Sequence, residues 1–343
     1  MRLGMQGYAA PHFVLLVAST ILTGCVVGPD YQAPLIALSA HWGSSKPNES
    51  TKAPVLAQWW RRLNDPLLNA LIAGAVQGNL DVAAAKARIR EARATRRVAI
   101  GGLFPELAGS ASYTRSKSAT NSLQGGSEAL AGPYNQFQLG LDASWELDLF
   151  GANRRNVEAA TRGVEAAEED LRTTFLTLIG DVTSYYVQAR GYQLRIALAQ
   201  RSAVSQGETA TLTRNKFEAG SASAVDVARA AAQASSTAAN IATYKIAYAE
   251  TVHRLGVLLG SEPALLTQVL SRGKAAMPAQ PRRLATGIPA DILLSRPDVR
   301  KAERELAQAT AKIGQAEAAR YPSATLTGSI ATSGSQIGDL FKG

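Results

Sequence analysis

Few residues in this chain could do chemistry. Its three histidines, His12, His41 and His253, stand far apart, and Cys25 is the only cysteine, so no internal disulfide or cysteine pair is possible. There is no HExxH, GxSxG or Walker sequence. Paired carboxylates such as Glu168-Glu169 fall in a mixed-charge run and read as solvated helix surface, not as an acid/base couple. No enzyme, cofactor or metal site is expected. The formal charge is +9, but Lys and Arg are interspersed with Glu, as in "VRKAERE" and "ARIREARATRR". That pattern fits a charged helix face better than a nucleic-acid surface, and no nucleic acid is expected.

The remaining candidate is Cys25, and its chemistry is acylation. Arg2, the apolar run "FVLLVASTIL" and small residues before a cut make 1–24 read as a secretory signal peptide. The run is too short to span a bilayer comfortably. Leu22-Thr23-Gly24-Cys25 resembles the bacterial lipobox, whose cysteine becomes the first mature residue and carries lipid. A palmitate-bearing anchor on Cys25 would hold the chain to a leaflet without a spanning helix. An ordinary signal with a chance cysteine is the alternative, and the tetrad argues against it.

The elements that would position such an anchor follow in order. Residues 25–60, rich in Pro, Ser and Gly, read as an extended arm. A first-repeat helix occupies 61–103, with Asp65 as N-cap, Pro66 at the first helical position and a break near Gly78-Asn79. Residues 104–150 give two strands around a Gly/Ser/Asn-rich loop at 119–134. The second strand alternates strictly: Phe137, Leu139, Leu141, Ala143, Trp145, Leu147 and Leu149 are apolar, with polar or small residues between them. Such a strand has one apolar face and one wet face.

Residues 151–260 then read as a long helical hairpin. Val157, Ala160, Val164, Ala167, Leu171, Thr174, Leu178, Val182, Tyr185, Ala189, Tyr192, Ile196, Ala199 and Ala203 form a heptad seam. It carries one four-residue stutter between Leu178 and Val182, where supercoiling relaxes. "EAGSAS" at 218–223 breaks the helix. In the returning helix, Val225, Ala228, Ala232, Ser235, Ala239, Ala242, Ile246 and Ala249 read as the seam facing the first. Residues 261–289 read as an irregular connector, 290–320 as a second-repeat helix and 321–343 as a third strand. Asp81 to Pro105 and Asp298 to Pro322 are both 24 positions apart, with aromatic-Pro at each end, so helix and strand look duplicated.

These residues resemble the TolC-like outer-membrane efflux lipoproteins of the NodT/OprM type. The resemblance rests on Cys25-x-x-Gly28-Pro29-x-Tyr31-x-x-Pro34, "WWRRLNDPLLNALI" at 59–72, "SWELDLFG" at 144–151, "RNKFEAGSASAVDVARA" at 214–230 and "IPADILLSRPDVRKAE" at 288–303. It implies a mainly α fold with membrane β-strands: a helical barrel of long coiled-coil hairpins under a trimeric, twelve-stranded outer-membrane barrel. It implies a homotrimer that meets outer-membrane lipid, a periplasmic adaptor and an inner-membrane pump, and that exports drugs or other toxic solutes. Residues 136–149 would run about 46 Å, enough to cross the apolar band when tilted near 40°. Lipid would meet the apolar face, with Trp145 at an interface, and Gln136, Gln138, Asp142, Glu146 and Asp148 would face the lumen. A soluble sheet would lack the partner strands to bury that face.

At the tip, the resemblance places Asp226 near the periplasmic entrance; capping of the second helix is the competing role. Arg214 and Asn215 are adaptor contacts or plain helix surface. The second repeat reaches Gly343 just after its first strand, so a truncated, non-conducting form is the alternative to a working channel. A periplasmic adaptor lipoprotein is the nearest rival, and it should show lipoyl-like β segments around the hairpin.

Overall fold

Asp65 shows how sequence becomes structure here. The computed structural model describes residues 26–34, 58–117, 133–272, 276–279 and 293–341. The signal segment, Cys25, most of the arm, the 119–134 loop apart from its last two residues, and most of the connector lie outside these residues. Two compact units are present, one of Met1–Pro34, Arg90–Ala166 and Ala302–Gly343, the other of Leu35–Ile89 and Ala167–Lys301.

Among its described residues the second unit has helices and no strand. After a 3-10 turn at Trp59–Leu63, the Asp65 carboxylate accepts from the Leu67 and Leu68 amides at 3.0 and 3.1 Å and starts α1, Pro66–Gly78. Leu68, Leu71, Ile72 and Ala75 are its buried stripe, at helical spacing. Asn79 is extended and ends α1. Its Oδ1 accepts from the Asp81 and Val82 amides at 2.9 and 3.1 Å, restarting the chain as α2, Leu80–Gly101, bent 43° from α1.

The hairpin is α3, Ala152–Glu218, and α4, Ala224–Leu259. At 67 residues α3 is about 100 Å long, at 1.5 Å per residue. It ends in a Schellman turn: Ser221 N–H donates to Lys216 O at 2.8 Å and Gly220 N–H to Phe217 O at 2.9 Å, with Gly220 at φ 69. Tyr185 meets Arg254 and Gln193 meets Tyr248, so the two helices run antiparallel. Every position of the α3 seam read from sequence is buried or half-buried.

The α4 seam is a correction. Val225, Ala228, Ala232, Ser235, Ala239, Ala242, Ile246 and Ala249 are all exposed, Ile246 at 70%. The half-buried stripe is Val227, Ala230, Ala234, Thr237, Ile241, Tyr244 and Tyr248. Both sets obey a 3-4 spacing; the second carries the larger side chains that fill the space against α3. The connector is not wholly irregular either. Pro263–Ser271 forms α5, begun by Pro263 in its first turn and held by buried Leu266 and Leu270.

One network ties this core together. The Tyr186 hydroxyl, fully buried, donates to Asp65 Oδ2 at 2.6 Å and accepts from Arg190 Nε at 3.2 Å. Arg190 Nη1 and Gln193 Nε2 donate to Leu270 O, at 2.9 and 3.0 Å, closing α5 onto α3. Burial, then the Asp65 contact, raises the Tyr186 pKa, which keeps the hydroxyl a donor.

The first unit holds an antiparallel sheet in the order β1-β2-β3: Glu106–Ser116, Tyr134–Leu147 and Ala324–Gly334. The last helix, α6, spans Pro297–Ala318. The duplication is visible in lengths: α2 and α6 have 22 residues each, β1 and β3 have 11 each. A 3-10 turn at Ile337–Phe341 follows β3.

Tyr186→Phe leaves Asp65 and Arg190 short of a buried partner. It should lower stability by about 1–3 kcal/mol, read as a lower urea midpoint for the helical signal. Among the described residues the Tyr185 hydroxyl meets Arg254 alone, at 3.4 Å, so Tyr185→Phe should stay within about 0.5 kcal/mol. Equal midpoints for the two variants would refute the assignment.

Candidate membrane wall and arm seat

Paired residues on antiparallel strands share a face, so the register sorts every side chain of the sheet. Gly109, Leu141 and Ile330 stand in one row, Ala111 and Leu139 with Thr332 in the next, and Leu107 with Ala143 and Gly328 on the other side. Between the Tyr113–Phe137 pair and Trp145 that face is apolar or small except for Thr332, and Arg115 with Asn135 lies beyond its end. The opposite face carries Ser110, Ser112, Gln136, Gln138, Asp142, Glu146, Ser329 and Ser333. The four strand residues expected on the polar side therefore lie together on it. Leu107, Leu141, Leu326 and Ile330 are largely exposed; among the described residues the turn at Ile337–Phe341 lies against the Tyr113–Phe137 end of this face and leaves the rest open.

Aromatic side chains bracket this face. Tyr113 and Phe137 pack with ring centroids 4.8 Å apart at one end, and the Tyr113 hydroxyl meets Asn135 at 3.1 Å. At the other end Trp145 Nε1 donates to Leu103 O at 3.1 Å, and Phe150 stacks on Tyr321 at 4.6 Å. Phe137 and Trp145 are separated by about 26 Å of strand, at roughly 3.3 Å per residue. Amphipathic rings at both edges of an apolar band are what two membrane interfaces select.

Asp148 does not join the polar face. It lies past the end of β2 and accepts from the Asn153 and Arg154 amides at 3.1 and 3.0 Å, capping α3, with Arg154 Nε at 3.1 Å. The alternation continued into Asp148 and Leu149, but the backbone had already turned.

Beside this corner sits the arm. Val27 N–H donates to Phe150 O at 3.2 Å. The Arg155 guanidinium, on a residue only 4% exposed, donates to Val27 O, Gly28 O and Asp30 Oδ1 at 3.2, 3.1 and 2.8 Å. Tyr31 donates to Glu303 on α6 at 3.2 Å. Sequence reading missed Arg155; the trace it left was the bare glycine of Cys-x-x-Gly-Pro. Cys25 itself lies outside the described residues.

The motif "SRPDVRKAE" has a positioning role. Arg296 grips Asp298 with two bonds, Nε to Oδ1 at 3.0 Å and Nη2 to Oδ2 at 2.7 Å, which lowers the Asp298 pKa to about 2. Lys301 reaches Asp170 on α3 at 2.7 Å. At the hairpin tip, Ser223 and Asp226 form a reciprocal capping box. The Ser223 contacts hold the Asp226 carboxyl below its ordinary pKa. Arg214 stands exposed on α3. His253 is exposed, and among the described residues no cluster of His, Cys, Asp or Glu could hold a metal ion.

Leu141→Arg puts a charge on the apolar face and should cost about 2–4 kcal/mol of membrane stability, emptying the outer-membrane fraction. Asp142→Arg, one residue along, should leave that fraction unchanged; the reverse pattern would invert the face assignment. Because the Asp226 pKa is lowered in the fold, its cap is complete above the ordinary carboxylate range and is lost as pH falls through the lowered value. Amide protection at Asp226 and Val227 should therefore fall on acidification below about pH 4, and stay flat in Asp226→Asn. An identical acid response in that variant would assign the change to another group.

The comparisons with known proteins converge. The family model described as outer membrane efflux protein matches residues 71–261. Nodulation protein T of Rhizobium leguminosarum bv. trifolii is 38% identical over 327 residues, 95% of this chain and 67% of that protein. The toluene efflux pump outer membrane protein TtgF of Pseudomonas putida is 32% identical, covering 97% of this chain and 70% of the relative. This chain thus spans about two thirds of these relatives' length. Among solved structures, the outer-membrane channel OprN matches with a TM-score of 0.81 at 36% identity, over 92% of this chain and 70% of that one. The CmeC outer membrane channel of Campylobacter jejuni matches with a TM-score of 0.78 at 26% identity, over 93% and 68%. TtgF is named as an efflux pump protein, and OprN and CmeC as outer-membrane channels. The chain belongs to the outer membrane efflux protein family, with its TolC-like fold of long helices and membrane strands and its place in the outer membrane.

Proposed function

We propose that this protein forms the outer-membrane wall and periplasmic conduit of a tripartite efflux system, through which solutes leave passively. The observation that carries this is the sheet register, which gives one largely apolar face, mostly open among the described residues, and one polar face. The apolar face meets lipid, and Gln136, Gln138, Asp142 and Glu146 meet the water-filled lumen. Both outer edges of the β1-β2-β3 sheet lack a partner strand among the described residues. Unpaired edges are not tolerated in lipid, so strands beyond the three described must complete the wall, with neighbouring copies in a homotrimer contributing to it.

Family membership supports the rest of the reading. Cys25 carries the lipid. The hairpin tip, with Arg214 on its flank and Asp226 capping its return, meets a periplasmic adaptor that links it to an inner-membrane pump. No catalysis is required of this chain, since the pump supplies the energy. The export of toluene or antibiotics named for relatives makes those solutes the natural probes.

The full chain, expressed in a strain deleted for its own outer-membrane efflux channels, should appear in purified outer membranes as a heat-modifiable trimer. It should restore tolerance to toluene or an antibiotic when the matching adaptor and pump are present. Trimers in the membrane without restored tolerance and without conductance in a planar bilayer would sink the channel reading.

A further inference from the structure

We propose that Arg155 is a positioning residue: it seats the segment after Cys25 at the foot of the sheet, and the seat closes only with α6 in place. The acylated N-terminus and the second-repeat helix are thereby coupled, which rests on the reading that Cys25 is lipidated.

The geometry shows why one residue carries this. A guanidinium has five N–H donors and is costly to bury unless they are answered. Of the acceptors around Arg155, Glu158 Oε2 at 2.8 Å is on its own helix. The other three, Val27 O, Gly28 O and Asp30 Oδ1, all come from the arm. Lifting the arm leaves most of a buried cation unanswered, so the seated arm is part of the fold at this corner.

The third wall of the seat is α6. Gly28 sits at φ 89, and a Cβ there would overlap the Gly314 Cα. A Cβ at Gly314 would come within 2.9 Å of Arg155 Nε and 3.0 Å of its Cδ. Arm, α6 and Arg155 are thus stacked with no room for a methyl group at either glycine. Tyr31, three residues on, fastens to Glu303 of the same helix. The Val27 amide fastens to Phe150, where β2 gives way to α3. Within five residues the arm is tied to the strand end, the α3 start and α6. Cys25 is two residues before Val27 in the sequence, so the tied segment limits how far a lipid on Cys25 can lie from this corner.

The test uses the full chain in outer membranes, with Gly28→Ala, Arg155→Met and Cys25→Ser compared. The readouts are helical circular dichroism, the mass of the N-terminal peptide, amide exchange at Val27–Tyr31 and the heat-modifiable oligomer fraction. Gly28→Ala and Arg155→Met should keep the helical signal and the lipid mass, raise exchange at Val27–Tyr31 at least tenfold, and lower the oligomer fraction several-fold. Cys25→Ser should lower that fraction to the same level, and Arg155→Met with Cys25→Ser no further. If Arg155→Met loses its helical signal, Gly28→Ala, which leaves the guanidinium intact, decides the question. Unchanged exchange in Gly28→Ala, or raised exchange with an unchanged oligomer fraction, overturns the proposal. A native chain without lipid on Cys25 overturns the reading it rests on, while the exchange result separately decides whether the seat exists.

Discussion

A 67-residue helix about 100 Å long presents an apolar seam from Val157 to Ala203, and within each unit other helices cover it. Such a helix gains little from propensity alone; packing makes it stable. In one unit α6 lies antiparallel to α3, as the pairs Arg155 with Gly314 and Glu165 with Arg304 show. In the other, α4 covers α3 from Tyr185 to the tip, and α1 and α5 close on it through Tyr186 and Arg190. The stutter falls at Leu178 and Val182, both inside the core cluster that α1, α4 and α5 share. A locally straighter helix suits a place where several partners meet.

The sheet obeys a different period under a harder rule. Side chains alternate at period 2, and a one-residue slip would exchange the faces. In lipid that slip would put Asp142 and Glu146 into hydrocarbon, so the register is fixed by solvent as much as by hydrogen bonds. Asp148 shows where the rule stops. Once β2 ends, its carboxylate serves two amides of α3, so a carboxylate changes from surface at Glu146 to cap at Asp148 within two positions.

How much was legible in advance followed sequence separation. The α3 seam could be read because one helix has one dominant apolar stripe. The break at Asn79, the tip, the repeat and the strand were legible because capping residues, glycines and alternation act over a few positions. The α4 stripe was misread because that helix is rich in alanine and offers two stripes of equal spacing, and only the partner's position chooses between them. The α5 helix was missed because nine residues hold too little periodicity; its existence depends on Leu266 and Leu270 finding the core.

By itself the sequence determined the periods, 3.5 for the hairpin and 2 for the strand, together with the breaks between elements and the candidate acylation site at Cys25. These rest on covalent and local physics. Tertiary structure alone decided that Gly28 meets Gly314, that Arg155 answers an arm more than a hundred residues earlier, and that Tyr186 completes the Asp65 cap. Those contacts join segments whose separation carries no periodic signal, and their geometry exists only after the helices have packed.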